Sequence, residues 1–200
     1  MTTCRRCNSL NNHDKCFKGR GVTTTLRPAS LADAPLLAEL GRESFGAAFG
    51  HLYSPENLHA FYAAERSEAR YAAQLADPAV RVALAEDGDG GALAYALIMC
   101  GKSFAERPEP RPSRPVYLSQ LYCADGQAGR GLGARLMDWV LREARDWGAD
   151  AVQLSVFSGN TGAQRFYRRY GFEHVADIDF WVGGHRDDEF LYELELISPT

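Results

Sequence analysis

The sequence predicts an α/β domain built on a mixed sheet, and three observations predict it. Short apolar runs rich in β-branched and aromatic residues alternate with stretches whose apolar residues recur at helical spacing, in the order β-α-α-α-β-β-β-α-β-α-β-β. In the third quarter of the chain a strand leads through a glycine-rich turn, AGRGLGARL at 128–136, directly into an amphipathic helix. The chain then closes with two strands flanking Gly183-Gly184. Two hundred residues, 46% of them hydrophobic and 24% charged, suit one such domain with a core of its own.

Taken in order, residues 23–27 form a short strand. Ser30 is an N-cap for a helix over 31–49, with Asp33 and Pro35 in its first turns and Leu36, Leu37 and Leu40 on its apolar face. Ser54, followed by Pro55 and Glu56, opens a second helix over 57–65, and a third spans 67–76 and stops at Asp77-Pro78. Residues 81–86 and 92–100 are strands joined by a DGDGG turn. The stretch GKSFAERPEPRPSRP, with prolines at 108, 110, 112 and 115, is an exposed, extended loop before the strand at 116–123. Leu132, Leu136, Val140 and Ala144 mark one face of the helix over 131–147. A strand at 151–157, a helix at 161–170 and strands at 174–182 and 188–196 complete the domain. No internal repeat is visible.

A net charge of −4 offers no basic footprint, so nucleic acid is not an expected partner. No apolar run reaches the roughly 18 residues of a membrane span, and the polar N-terminus carries no secretory h-region. The expected compartment is the cytoplasm, with no membrane partner; a homodimer stays open. Five cysteines, an odd number, argue against a disulfide framework there. Cys4, Cys7, His13 and Cys16 have the residue types of a zinc site at a spacing that only approximates a zinc knuckle, so no metal is expected. Residues 1–21 read instead as a disordered or mis-assigned extension, with Val22 the initiator and 22–200 the domain. Removing that extension changes the net charge from −4 to −8, which mildly favours a cationic acceptor.

The glycine turn has two readings. It can be a turn that needs glycine for its shape, or an anion cradle, because glycines admit a ligand close to the backbone and the first N–H groups of the following helix point outward. Gly129-x-Gly131-x-x-Ala134 loosely satisfies a dinucleotide fingerprint, but Asp150 precedes the next strand rather than ending it, and no doubly wound sheet follows. No Gly-Lys-Ser/Thr follows either, so it is not a P-loop.

Reading further, LYCADGQAGRGLGARLMDWV followed by VQLSVFSGNTGAQRFYRRYGFEHV resembles the GCN5-related N-acetyltransferases (GNAT), at the pyrophosphate loop and at the later Asn-x-x-Ala-x-x-Phe-Tyr segment. One departure is Ala128, where the family usually has Gln or Arg. The resemblance implies the GNAT fold, a mostly antiparallel sheet of six or seven strands flanked by helices, with central parallel strands splaying after Cys123 and before Ser158. It implies acetyl-CoA as cosubstrate: its diphosphate on the amides of Gly129, Arg130, Gly131, Leu132, Gly133 and Ala134, its pantetheine along Leu121, Tyr122 and Cys123, with Asn160 touching the arm. Asn160 serves equally well as a helix N-cap. Tyr167 matches the family's catalytic tyrosine and would protonate the leaving thiolate. Cys123, with no neighbouring His, reads as a small hydrophobe.

The base is unassigned: the strand before the loop offers Ser119 and Gln120 where relatives often carry a carboxylate, and Glu43, His51, His59 or a water chain are the remaining sources. FGAAFGHLYSPENLHAFY and DIDFWVGGHRDDEFLYELEL look like the PaiA-like polyamine acetyltransferases. Phe45, Phe49, Tyr53 and Tyr62 would then wall an acceptor pocket, and Asp179, Asp187 or Glu189 would attract an ammonium. The expected activity is acetyl transfer to the primary amine of a small molecule such as a polyamine, with a protein or peptide acceptor, or a catalytically silent acyl-CoA sensor, as alternatives.

Overall fold

A computed structural model describes residues 24–196. The elements run β1 (Thr25–Pro28), α1 (Ala34–Phe49), α2 (Pro55–Glu65), α3 (Glu68–Ala76), β2 (Val80–Glu86), β3 (Ala92–Cys100), β4 (Pro115–Cys123), α4 (Leu132–Trp147), β5 (Ala151–Phe157), α5 (Thr161–Arg169), β6 (Glu173–Val182) and β7 (His185–Glu195), with 3-10 turns at Leu31–Asp33 and Gly50–Leu52. The order is the one the sequence predicts. The zinc-like cluster and the start-site question fall on residues 1–21, outside the described residues.

The seven strands form one sheet in the order β1-β2-β3-β4-β5-β7-β6. Every neighbouring pair is antiparallel except β4 with β5, joined through the crossover helix α4. Ala83, Ala85, Ala94, Ala96 and Ile98 face α4, whose Leu136, Met137 and Val140 are fully buried against them. Small alanines there let a wide helix approach the sheet closely. Leu84, Tyr95 and Leu97 point to the other face, under Leu37, Leu40 and Tyr71 of α1 and α3. The period-2 alternation of β2 and β3 thus supports two cores, one per face.

Local chemistry sets the element ends. Ser54 and Ser67 accept from the amides of Asn57 and Arg70 and start α2 and α3. Ser30 is the N-cap, as the sequence predicts, but of a 3-10 turn: its amide donates to Asp33 at 2.7 Å in a capping box, and the α-helix α1 begins only at Ala34. Strand β7 starts at His185, three residues before the sequence-based bound, because Gly183-Gly184 suffices to turn the chain.

The proline-rich loop is less free than its composition suggests. Arg107 grips Glu193 of β7 through two hydrogen bonds (2.6 and 3.0 Å), and Gln153 donates to the same carboxylate at 2.7 Å while accepting from Ser103. A bidentate pair, with the carboxylate almost fully buried, fastens the loop across β5 and β7.

Candidate active site

Strands β4 and β5 pair only where Pro115–Tyr117 meet Ala151–Gln153. Beyond that β4 stays bonded to β3 as far as Cys123, and β5 to β7 as far as Phe157, but their facing edges separate. The divergence begins at Tyr117 and Gln153, earlier than the Cys123 and Ser158 ends expected from sequence. A bulge accompanies it: Leu97 pairs with Gln120 and Ile98 with Leu118, leaving Ser119 without a partner on β3. Leu118 and Leu121 therefore both face α4, while Gln120 faces the opposite core and donor hydroxyls of Tyr71 and Tyr95 hold its oxygen at 2.8 and 2.7 Å.

The gap opens a cavity of about 550 Å³ that reaches both faces of the sheet. On the α4 face Leu121, Cys123, Asn160 and Tyr167 border it; on the α1 face Phe45, Arg66, Tyr122 and Glu189 do. Among the described residues six buried side-chain polar atoms have no hydrogen-bond partner, and five of them (Ser44 Oγ, Arg66 Nε, Arg70 Nε, Gln74 Oε1 and Glu189 Oε2) belong to residues lining this cavity. Buried polar groups are ordinarily paired with protein, water or ligand, so such a concentration gives this cavity wall a set of polar groups suited to binding.

At the α4 end, Gly129 and Gly131 have φ of +78° and +79°, and a Cβ on either would meet no atom within 4 Å. Their conformation, not crowding, demands glycine, and the space in front of the backbone is open. The first amide of the turn bonded to main chain is Arg135, to Gly131 O at 3.1 Å. Gly133 N–H is directed at the Cys123 thiol. The amides of Gly129, Arg130, Gly131, Leu132 and Ala134 meet no acceptor among the described residues, at the positive end of a 16-residue helix. Arg130 turns its guanidinium to Gln127. Ala128, the departure from the usual pattern, lines the cavity and contributes no side-chain donor. These residues fit a CoA diphosphate, with the unpaired edges of β4 and β5 beside it for an amide-rich pantetheine. Asn160 caps α5, accepting from Ala163 N–H at 3.0 Å, and its amide nitrogen, at the cavity wall, has no partner among the described residues.

Tyr167 lies where α5 meets the gap. Its hydroxyl has no partner among the described residues, and burial raises its pKa well above the ordinary phenol value, so it stays protonated. On the α1 face of the same cavity stands Glu189, on β7 opposite Phe157. Burial pushes its carboxyl from 4.5 up to about 7, against the opposing effect of a hydrogen bond from Ser155, with the charge of Asp187 adding to the rise. A buried acid and a buried carboxylate that titrates near neutrality, on opposite sides of one cavity, can give and take protons there.

Other candidates are placed elsewhere. Glu43, His51 and His59 are exposed and outside the cavity. Asp179 pairs with Arg186, whose other nitrogen reaches Asp188 at 2.9 Å, on the outer side of the hairpin. Asp187 is buried but committed to the Tyr53 hydroxyl and to His185 at 3.2 Å. Phe45, Phe49 and Tyr53 do wall the cavity, whereas Tyr62 packs behind Phe45. The helix block and the hairpin block are brought together by Asn57, whose side chain accepts from Gly184 N–H at 2.8 Å. Sequence reasoning passed over Asn57 and Arg66, and left Glu189 as one acid among three. Arg66, Arg70 and Gln74 recur at intervals of four, a signal that could have marked a polar wall.

A sheet parted at one parallel pair, with bare helix-start amides below it and a tyrosine beside it, defines an acyl-CoA-dependent transferase. The model of the acetyltransferase (GNAT) family matches residues 42–172, and the chain belongs to that family. It is thus an N-acetyltransferase by class and a user of acyl-CoA. An uncharacterised N-acetyltransferase of Mycobacterium tuberculosis (strain ATCC 25618 / H37Rv) is 35% identical over 167 residues, 84% of this chain and the whole of that protein. A spermine/spermidine N(1)-acetyltransferase of Bacillus subtilis (strain 168) is 27% identical over 78 residues, 38% of this chain and 51% of that one. The PaiA N-acetyltransferase of Thermoplasma acidophilum, solved with coenzyme A, superposes with a TM-score of 0.69 at 18% identity, covering 87% of this chain and 99% of that one, a likeness of fold. No helix among the described residues is long and apolar enough to cross a membrane.

Proposed function

We propose that this chain transfers an acetyl group from acetyl-CoA directly to the primary amine of a small molecule, with Tyr167 as acid and Glu189 as base. The observation that carries this reading is the single cavity joining the two residues through the gap between β4 and β5. Glu189 takes the proton that an incoming ammonium loses to become nucleophilic. The amine nitrogen then bonds to the thioester carbon and the C–S bond breaks. Tyr167 gives its proton to the departing sulfur and regains one from the new amide nitrogen, so that one proton in all is released through Glu189. A main-chain N–H near the Ser119 bulge or the 121–123 segment would meet the transient oxyanion. Direct transfer is favoured over an acetylated Cys123: burial pushes that thiol up, away from the thiolate an acyl-enzyme needs.

Arg130, Leu132 and the other loop amides would hold the diphosphate, and Leu121, Tyr122 and Cys123 the pantetheine. The cavity is walled on the α1 side by packed rings of Phe45, Phe61 and Phe180, which supports a small acceptor over a protein chain. Thiol release from acetyl-CoA against a panel of small amines tests the reading. Turnover is expected with at least one, and Tyr167→Phe should lower kcat by about 10²-fold with little change in acetyl-CoA affinity. Binding of acetyl-CoA with no thiol release from any amine would instead indicate a sensor.

A further inference from the structure

The acceptor end of the cavity holds a cation that the chemistry above does not use. Arg66, at the end of α2, is 5% exposed. Its guanidinium lies over the rings of Phe61, Phe45 and Tyr122 at 5.0, 5.8 and 5.9 Å. One nitrogen donates to the carbonyl of Glu65 at 3.0 Å, the Tyr122 hydroxyl takes another hydrogen bond, and Nε has no partner. Among the described residues no carboxylate comes within ion-pair distance of it: the nearest in sequence, Glu65, is paired with Arg70 at 3.3 Å. A buried arginine cannot shed its charge, and an unmatched charge away from water is costly. Aromatic faces offset part of that cost but supply no acceptor for the fork of N–H groups. Arg70, four residues on, lines the same wall with its own Nε unpartnered.

Tyr122 relates this cation to the reacting end, since its hydroxyl feels both the positive charge of Arg66 and the negative charge of Glu189. The cavity is therefore bipolar on its α1 face, a carboxylate beside the gap and a guanidinium deeper under α2. A polyamine carries positive charge at both ends and would set an ammonium against Arg66. We propose that Arg66 forms an anion subsite, and that the acceptor is an amine that also carries a carboxylate: an amino acid or a compound built on one. The ammonium meets Glu189 and the carboxylate takes the free edge of the Arg66 fork, which fixes which nitrogen reaches the thioester. This narrows the acceptor of the acetyltransferase reading and rests on it.

Matched pairs that differ only in the carboxylate test the subsite: lysine with cadaverine, ornithine with putrescine, 2,4-diaminobutyrate with 1,3-diaminopropane, phenylalanine with phenethylamine. In the wild type, kcat/KM should be at least about tenfold higher for the carboxylate member of the preferred pair. Arg66→Met should bring that ratio close to one, mainly by raising KM for the carboxylate member, and Arg66→Lys should restore only part of it. A protein that merely needs Arg66 for packing would lose melting temperature and lower both members equally. Equal or better use of the carboxylate-free member in every pair overturns the proposal, as does a ratio unmoved by Arg66→Met. The same compounds are added to the CoA-bound protein in a thermal-shift titration. If no amine is acetylated, a carboxylate-dependent shift that Arg66→Met removes keeps the anion subsite while the transferase reading fails; no such shift sinks the subsite itself.

Discussion

On its α4 face the cavity runs past main-chain groups: the amides of Gly129, Arg130, Gly131, Leu132 and Ala134, which meet no acceptor among the described residues, lie beside it, and so do the unpaired edges of β4 and β5. On its α1 face it is walled by side chains from α1, α2, α3, β4 and β7, among them Phe45, Arg66, Gln74, Tyr122 and Glu189. The first wall suits a cosubstrate whose phosphates and amides are met equally well by any backbone of the right shape. The second suits an acceptor that must be told apart from its rivals by charge and by fit. One face can therefore change its side chains freely as long as the turn keeps its glycines, while the other changes its ligand with every substitution.

The sharpest way to break this division is Glu189→Gln. If the α1 face carries the proton acceptor, kcat/KM for the amine falls by 10² to 10⁴-fold while acetyl-CoA affinity stays near wild type. In the wild type kcat/KM should rise with pH through about 7, where Glu189 ionises, and Glu189→Gln should remove that limb. Stability supplies an independent reading. The native state holds a proton on Glu189 from pH 4.5 to about 7 while the unfolded chain has lost it. With more protons bound in the native state, wild-type stability falls as pH rises through that window and levels off above it. The Gln variant lacks this loss, so it should gain on the wild type by roughly 2–3 kcal/mol between pH 4 and pH 8 in urea titrations. Equal pH profiles for the two proteins would show that Glu189 titrates like a surface carboxylate.

Gly131→Ala probes the other wall and should act with the opposite selectivity. A residue with a Cβ at φ +79° costs about 1–2 kcal/mol, and the strain is relieved by turning the amides that face the ligand. KM for acetyl-CoA should rise about tenfold, with the ranking of amines unchanged. A changed ranking would mean that the two walls are not separable.

The same contrast explains what was legible in the sequence. Element order, the glycine turn and Asn160 as a cap rest on local patterns: apolar periodicity, a glycine-rich turn, an Asn at a helix start; Tyr167 is singled out only by the family resemblance of its Phe-Tyr segment. The sheet order follows less directly, and the early splay depends on the Ser119 bulge, which the run Tyr-Leu-Ser-Gln-Leu-Tyr-Cys does not advertise. The acceptor side was read poorly because its parts are far apart in the chain. Glu189 looks no different from Asp187 or Asp188 in GHRDDEFLYEL; pairing of β7 with β5 turns it inward, while Asp187 goes to Tyr53 and Asp188 to Arg186. Arg66 sits in an ordinary-looking AAERSEAR segment, and only the packing of Phe61 of α2 against Phe45 of α1, with the guanidinium over both rings, reveals it as a buried cation.

The mildest test concerns how the acceptor wall is held in shape. Asn57 on α2 receives the Gly184 amide at 2.8 Å, and a Cβ on Gly183, at φ +60°, would come within 2.7 Å of the Asn57 main chain. The β6–β7 turn is thus seated against α2 at one point, and Glu189 lies a few residues further along the same strand. Asn57→Ala removes the acceptor but keeps the backbone contact. It should cost about 1 kcal/mol in urea unfolding and raise KM for the amine about two- to fivefold, with acetyl-CoA KM unmoved. Gly183→Ala, which forces the two backbones apart, should produce the same pattern more strongly. If either change moved the acetyl-CoA KM as much as the amine KM, the hairpin would be bracing both walls, and the separation between a backbone-built and a side-chain-built face would not hold.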